Sequence, residues 1–142
     1  MTSSPPSWRA APGGDLFLAI ARGESQAALP PGNGDALAEA WRLAKTQGLL
    51  PLASHFVLNH PQMDWPAAIC DEARKMRDFA LFRNVQVMAM LRKNKKTLEG
   101  GGIPWISMKG PVFTEQYAGC PTLRLSGDLD ILVHPRDVQK AD

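Results

Sequence analysis

The sequence predicts an α+β fold in which a helical N-terminal region is followed by a smaller strand–helix–strand segment. Up to Glu99, apolar residues recur at the three- and four-residue steps that are typical of amphipathic helices. Gly100-Gly101-Gly102 ends that pattern. Beyond the glycines, two short runs of β-prone apolar residues enclose a short helical stretch. These observations predict a lead-in at 1–14, a helical region at 15–102 and a smaller region at 103–142.

The composition is that of a folded, soluble protein with one domain. The chain has 142 residues, of which 44% are hydrophobic and 21% are charged, as in ordinary globular domains. The formal net charge of +2 does not indicate nucleic acid as a partner, because proteins that coat it usually show a dense basic face. Cys70 and Cys120 are too few for a disulfide framework or a structural zinc site. The sequence shows neither a signal peptide nor an apolar stretch long enough to cross a membrane, so we expect a cytoplasmic protein.

Three short helices are predicted before the long one. Residues 1–14 are rich in Ser, Pro and Gly and predict a disordered lead-in. Asp15 is placed to cap a first helix and Asp35 to cap a second, with the Pro- and Gly-rich stretch Leu29–Gly34 between them. A third helix follows Pro51.

A long helix is predicted to begin at Asp64, with Pro66 tolerated in its first turn, and to end at the three glycines. Its apolar stripe recurs at three- and four-residue steps or their multiples and consists of Ile69, Ala73, Met76, Ala80, Val87 and Leu91. A helix of roughly 35 residues would extend about 50 Å. Since that length is unusual in a globular protein, we expect a bend or a break inside it.

The C-terminal region predicts two strands with a helix between them. Ile103–Met108 is short, apolar and largely β-prone, and predicts the first strand. Pro111 opens a helix that Gly119 closes. Leu129 and Ile131-Leu132-Val133 predict the second strand, which two aspartates interrupt, and Pro135 opens another helix.

Asp128 and Asp130 project to the same face of the predicted second strand, because strand side chains alternate between faces. Two carboxylates about 7 Å apart repel each other unless a cation lies between them. Mg²⁺ takes one or two protein carboxylates and completes its coordination with water and substrate phosphates. The pair therefore predicts a magnesium site for phosphoryl or nucleotidyl transfer. The alternative is an exposed strand end without function, although the apolar Ile131-Leu132-Val133 places the acids at the mouth of a core strand.

Four further residues are candidates for contact with phosphate. Lys109-Gly110 separates the first strand from the Pro111 helix, where a glycine turn can present backbone N–H groups and a lysine adds positive charge. Arg124 is a second cationic candidate, and Gly127 removes a side chain where a triphosphate would approach. The alternatives are a plain turn with a solvated lysine, and an Arg124 that pairs with Asp128 or Glu115 for structure alone.

From Ile103 onward the sequence resembles the uncharacterised nucleotidyltransferase family of the DNA polymerase beta superfamily. That family shows a strand ending in Lys-Gly, a helix, an Arg, then Gly-Asp-hydrophobic-Asp, a hydrophobic residue, Leu-Val and a Pro-containing helix start. The residues that match in order are Lys109-Gly110, Arg124, Gly127-Asp128-Leu129-Asp130 and Leu132-Val133. The helical run from Leu37 to Glu99 is also similar, including Gly48-Leu49-Leu50-Pro51-Leu52 and Asn84, but it is less specific.

The resemblance implies that residues 103–142 form a partial nucleotidyltransferase core of strand–helix–strand order within a mixed sheet. It implies transfer of a nucleoside monophosphate from an NTP to an acceptor that the sequence does not identify. By this resemblance Asp128 and Asp130 are the catalytic, metal-binding residues and hold Mg²⁺, or Mn²⁺ in its place. The nucleotide-binding residues implied by the motif are Lys109, Gly110, Arg124 and Gly127.

Two departures from the superfamily pattern limit what the resemblance implies. Gly110-Pro111 stands where a Gly-Ser is usual, so the serine hydroxyl contact to phosphate is missing. Superfamily enzymes also draw a third carboxylate from a later strand, and this sequence ends at Asp142 before such a strand. Members of the family are longer, so we expect the N-terminal portion of the enzyme, truncated at its C-terminal side and holding half of the active site.

Two other functions stay open at this point. A nucleotidyltransferase-like module without catalytic activity could bind nucleotide or a protein partner. A helical interaction protein could contain Asp128-Leu129-Asp130 by chance, since an Asp-X-Asp sequence alone is weak evidence.

Overall fold

The computed structural model describes residues 13–22 and 34–141. The predicted lead-in at 1–14 and the stretch Leu29–Gly34 fall almost entirely outside these ranges, so neither prediction is tested. The described residues form two compact units, which divide between Arg77 and Asp78. The α+β class is confirmed, since helices predominate and the second unit adds a small sheet.

The first unit consists of helices. It contains α1 (Gly14–Arg22), α2 (Gly34–Thr46), α3 (Leu50–Asn59) and the first turns of α4 (Ala67–Gly100). Asp15 and Asp35 lie inside the first turns of α1 and α2, which begin two residues earlier than caps at these aspartates would require, so the predicted caps are wrong. A carboxylate in the first turn still stabilises a helix, because it lies close to unpaired backbone N–H groups. Pro51 lies in the first turn of α3, as predicted.

The core of the first unit is built from the apolar faces of α1, α2 and α3 together with Trp65, Ile69 and Ala73.

A Cβ atom added to Gly13 would lie 2.4 Å from the backbone oxygen of Ala36 and 2.5 Å from the backbone nitrogen of Ala40. The chain just before α1 therefore contacts the backbone of α2 directly, and only glycine leaves the space for that contact.

A polar contact fastens α2 to the start of α4. The indole nitrogen of Trp41 donates a hydrogen bond of 2.8 Å to Oε2 of Glu72, and Lys45 forms an ion pair with the other carboxylate oxygen. These two donors lower the pKa of Glu72, the lysine hydrogen bond more than the indole one.

Helix α4 begins at Ala67, three residues later than predicted. Asp64 has a left-handed backbone, with φ 54°, which no helix interior allows. The carbonyl of Pro66 accepts the N–H groups of Ile69 and Cys70, so the proline lies just before the helix. The helix then runs for 34 residues without interruption, so it contains no break, whereas the alternative of a bend stays a prediction.

The second unit contains the rest of α4 and all of the sheet. The buried residues of α4 in this unit are spaced at three- and four-residue steps or their multiples, and they are Ala80, Asn84, Val87, Leu91 and Leu98. All but one of them are apolar.

The strands of the second unit are β1 (Trp105–Ser107) and β2 (Ile131–Val133), with α5 (Pro111–Ala118) between them in the chain. The predicted order of strand, helix and strand is confirmed, as is the start of α5 at Pro111. Gly119 ends α5 in the left-handed conformation, with φ 65°. The strands pair antiparallel, with Ile106 opposite Leu132. Among the described strands there is no parallel pair, which a mixed sheet would require.

After β2, Pro135 begins a 3-10 turn (Pro135–Asp137) that leads into α6 (Val138–Ala141), as predicted. The Nδ1 atom of His134 accepts a hydrogen bond from the backbone N–H of Arg136 and so caps this turn. None of the helices in the described ranges combines the length and apolar character needed to cross a bilayer.

Candidate functional site

The Asp128-Leu129-Asp130 sequence lies immediately before β2 and not within it. Strand β2 begins at Ile131, so the prediction that both aspartates lie on the strand is wrong. The ladder stops there because its partner, β1, ends at Ser107, after which the chain turns into α5. One further backbone contact continues past the ladder, since the N–H of Met108 donates to the carbonyl of Asp130 at 3.0 Å. Asp130 is thus held at the end of the sheet.

The Lys109-Gly110 turn is fixed by three side-chain and backbone contacts. The hydroxyl of Ser107 donates to the carbonyl of Lys109 at 3.0 Å. Both the N–H and the hydroxyl of Thr114 donate to the carbonyl of Gly110, at 3.2 and 3.3 Å. Gly110 has φ 104°, a conformation that strongly favours glycine. The predicted turn between strand and helix is therefore present, and it has a definite shape.

Lys109 and Asp130 form the central contact of the site. The Nζ atom of Lys109 lies 2.7 Å from Oδ2 of Asp130, and the two side chains are 60% and 41% exposed. The hydrogen bond to Asp130, and then the negative charge of Asp130, raise the pKa of Lys109. Asp128 raises this pKa further and Arg124 lowers it, so these two charges also lie within electrostatic reach of the ammonium group. The structure therefore brings four predicted site residues into one charged group.

The Lys109–Asp130 contact differs from the predicted role of the lysine. We predicted a mobile charge for phosphate, or a solvated lysine in a plain turn. In the structure the ammonium group instead pairs with the carboxylate of Asp130, and the charge of Asp128 also favours its protonated form.

Arg124 and Gly127 are both exposed. Among the described residues Arg124 forms no ion pair, so the alternative in which it pairs with Asp128 or Glu115 has no support in the geometry. A Cβ atom added to Gly127 would meet nothing within 4 Å. The described protein therefore gives no steric reason for a glycine there, and the space beside Asp128 is open.

Asn84 is the residue that the sequence analysis missed as part of the site. It is 2% exposed on the inner face of α4. Its Nδ2 group donates to the carbonyls of Pro121 and Arg124, and its Oδ1 atom accepts the N–H of Ser126 at 3.2 Å. A signal was available in the sequence, because Asn84 falls between Ala80 and Val87 at the step where the apolar stripe of the helix requires a buried residue.

Asp128 and Asp130 are the two carboxylates of the candidate site that could serve as metal ligands. Asp128 is exposed and Asp130 is partly exposed, so both carboxylates can be reached from solvent. In the part of the chain that the structure describes, no group of three or more acidic, histidine or cysteine side chains is placed to hold a metal. Two carboxylates suit Mg²⁺, which is commonly bound by one or two protein carboxylates together with water and substrate phosphates.

Comparison with known protein families identifies a match over most of the chain. Residues 34–142 match the family described as uncharacterised nucleotidyltransferase, a range that begins with α2 and includes every candidate site residue. No curated protein and no solved structure matches the chain.

Proposed function

The chain belongs to the uncharacterised nucleotidyltransferase family, and on that premise we propose that it takes part in magnesium-dependent transfer of a nucleoside monophosphate from an NTP. The observation that supports this proposal best is the charged group of Lys109, Asp130, Asp128 and Arg124 at the open end of the sheet. Two acids and two bases in one solvent-accessible place can bind a metal and a polyphosphate together.

In this proposal Asp128 and Asp130 hold Mg²⁺, or Mn²⁺ in its place. A metal held by these two carboxylates would supply positive charge to the phosphate oxygens and would favour deprotonation of the attacking hydroxyl. Asp130 is the better positioned of the two carboxylates, because its carbonyl is tied to the backbone of Met108. Asp128 is one residue further from the ladder and is exposed.

Lys109 has two partners in this proposal. Without metal its ammonium group neutralises Asp130. A divalent cation at the same carboxylate would compete with the lysine, because like charges repel at this distance. Once released from Asp130, Lys109 is free to bind a phosphate of the NTP, and Arg124 supplies a second cationic group. Metal and nucleotide should therefore bind better together than either does alone.

The Gly110 turn positions Lys109 for this exchange. Its carbonyl is occupied by the two donors of Thr114, and the carbonyl of Lys109 by Ser107. The backbone on both sides of the lysine is thus held, while its side chain stays exposed. A side chain that moves on a fixed backbone can change partners without rearranging the turn.

A second candidate function is a nucleotide- or protein-binding module without catalytic activity. The observation that favours it is the same ion pair, since Lys109 satisfies Asp130 without any metal. In that case nucleotide binding would rest on the basic side chains and would not depend on magnesium.

The experiment is a calorimetric titration with ATP, CTP, GTP and UTP in turn, each with and without Mg²⁺. We expect at least one NTP to bind more tightly with Mg²⁺, and we expect this difference to disappear in Asp128→Asn, Asp130→Asn and the double variant. Asp64→Asn is the matched control, because it removes one exposed carboxylate at a left-handed position that asparagine also tolerates.

The outcomes separate the candidates. NTP binding that is equal with and without Mg²⁺ would favour the module without catalytic activity. If the wild-type chain binds no NTP under either condition, nucleotidyl transfer and the nucleotide-binding form of the module are both refuted.

A further inference from the structure

The segment that leads into the two aspartates is bound by a buried side chain of α4, Asn84. Residues 121–126 connect the end of α5 to Gly127 and contain a short 3-10 turn, Pro121–Leu123. Asn84 reaches this segment from α4, across 37 to 42 positions of the sequence. Its three partners are the backbone groups of Pro121, Arg124 and Ser126, so one amide fixes the beginning, middle and end of the segment.

The amide of Asn84 is fully used by these contacts. Both N–H bonds of a carboxamide can donate, and here they reach the carbonyls of Pro121 and Arg124, the latter at 3.1 Å. The oxygen accepts the N–H of Ser126. No other type of side chain of this size offers two donors and an acceptor in one plane, so the identity of the residue matches the three groups it binds.

Two of the three partners are close to the proposed site. Arg124 is the exposed cation that we assign to phosphate, and Asn84 binds its carbonyl. Ser126 is buried, and it stands two positions before Asp128. Fixing the backbone at residues 124 and 126 limits where the side chains of Arg124 and Asp128 can lie relative to Lys109 and Asp130.

We propose that Asn84 is a positioning residue of the magnesium–nucleotide site, acting through the backbone of residues 121–126; this inference rests on the proposed function. It touches neither metal nor substrate. Its effect is to keep Arg124 and Asp128 in place before ligand arrives, so that binding does not require the segment to be ordered first. Residues that orient metal ligands from behind commonly change metal affinity by about 10- to 100-fold when they are replaced.

The test compares the binding of Mg²⁺ with the tightest-binding NTP in the wild-type chain, Asn84→Ala and the control Asn94→Ala. Asn94 lies on the same helix, is half-buried, and has no side-chain hydrogen bond among the described residues. Urea titrations first establish conditions in which all three proteins are fully folded. Under those conditions a loss of global stability cannot alter the dissociation constant, whereas a misplaced site can.

We expect Asn84→Ala to raise the dissociation constant at least about tenfold, with unchanged stoichiometry, and Asn94→Ala to leave it unchanged. An Asn84→Ala variant that is folded and binds as tightly as the wild type overturns the positioning role and leaves the proposed function intact. A wild-type chain that binds no NTP overturns both. If Asn84→Ala does not fold, Asn84→Ser replaces it in the test, since its hydroxyl keeps one donor and one acceptor. The same rise in the dissociation constant is expected, and binding as tight as in the wild type again overturns the positioning role.

Discussion

Replacing Asn84 with alanine should release residues 121–126 from α4. The variant loses three hydrogen bonds, each of which contributes about 0.5–1.5 kcal/mol net. Water can replace part of this loss at Arg124, which is exposed, but not readily at the N–H of Ser126, which is 5% exposed. We therefore expect the segment to be destabilised by about 2 kcal/mol, equivalent to a roughly 30-fold larger population of the open form.

Amide hydrogen–deuterium exchange measures this population directly. Peptides that cover residues 121–130 should exchange about 30-fold faster in Asn84→Ala when opening is in rapid equilibrium. Peptides from α1 and α2 should be unaffected, because the lost contacts all lie within the second unit. Asn94→Ala provides the baseline for a polar-to-alanine change on the same helix. Equal protection of residues 121–130 in Asn84→Ala and the wild type would refute the reasoning.

Three further predictions concern single substitutions. Lys109→Met should bind Mg²⁺ more tightly in the absence of nucleotide, and should bind NTP more weakly in the presence of Mg²⁺. Both affinities are measured by calorimetry, with Lys140→Met as the control. If both affinities rise or both fall, the proposed exchange of partners is contradicted. The pKa of Glu72 is lowered below its ordinary 4.5, so its stabilising effect is present above that pH and is lost as pH falls through the lowered value. Glu72→Gln should therefore have a lower Tm than the wild type at pH 7 but not near pH 2. An equal difference in Tm at the two pH values would contradict a stabilising role for the Glu72 carboxylate. Gly13→Ala, whose Cβ would lie 2.4 Å from the oxygen of Ala36, should destabilise the first unit by about 1–3 kcal/mol, whereas Gly34→Ala, with open space around it, should not.

Much of the architecture could be predicted from local sequence signals. Pro111 and Gly119 mark the start and end of α5, since proline tolerates a first helical turn and glycine adopts the left-handed conformation that ends a helix. Pro135 likewise marks the turn that leads to α6. These signals act within a few residues, so no tertiary information was needed to interpret them.

The sequence could not show where the second strand begins. Leu129 has the same apolar character as the residues that follow it, and the alternation of side chains favours a strand over all of them. The start of β2 at Ile131 is set by the end of β1 at Ser107, which is a property of the partner. Strand limits depend on pairing, so a single run of residues does not contain them.

The sequence named the charged residues of the candidate site but not the contacts between them. Lys109, Asp128 and Asp130 were singled out, yet the ion pair between Lys109 and Asp130 joins positions 21 apart and depends on the antiparallel register. The role of Asn84 depends on contacts across 37 to 42 positions. Its place in an apolar stripe and in the family resemblance distinguished it, but neither signal names the groups that a buried amide binds.

The inner face of α4 also sets a rule for changes in chain length. Each residue of a helix turns the chain by about 100° and advances it by about 1.5 Å. One residue inserted between Asn84 and Leu91 would rotate the following part of the helix relative to Asn84. If the amide of Asn84 stayed buried, Leu91 and Leu98 would turn away from the buried face. Deletions and insertions in this stretch should therefore be tolerated poorly, because they turn part of the buried face of α4 toward solvent.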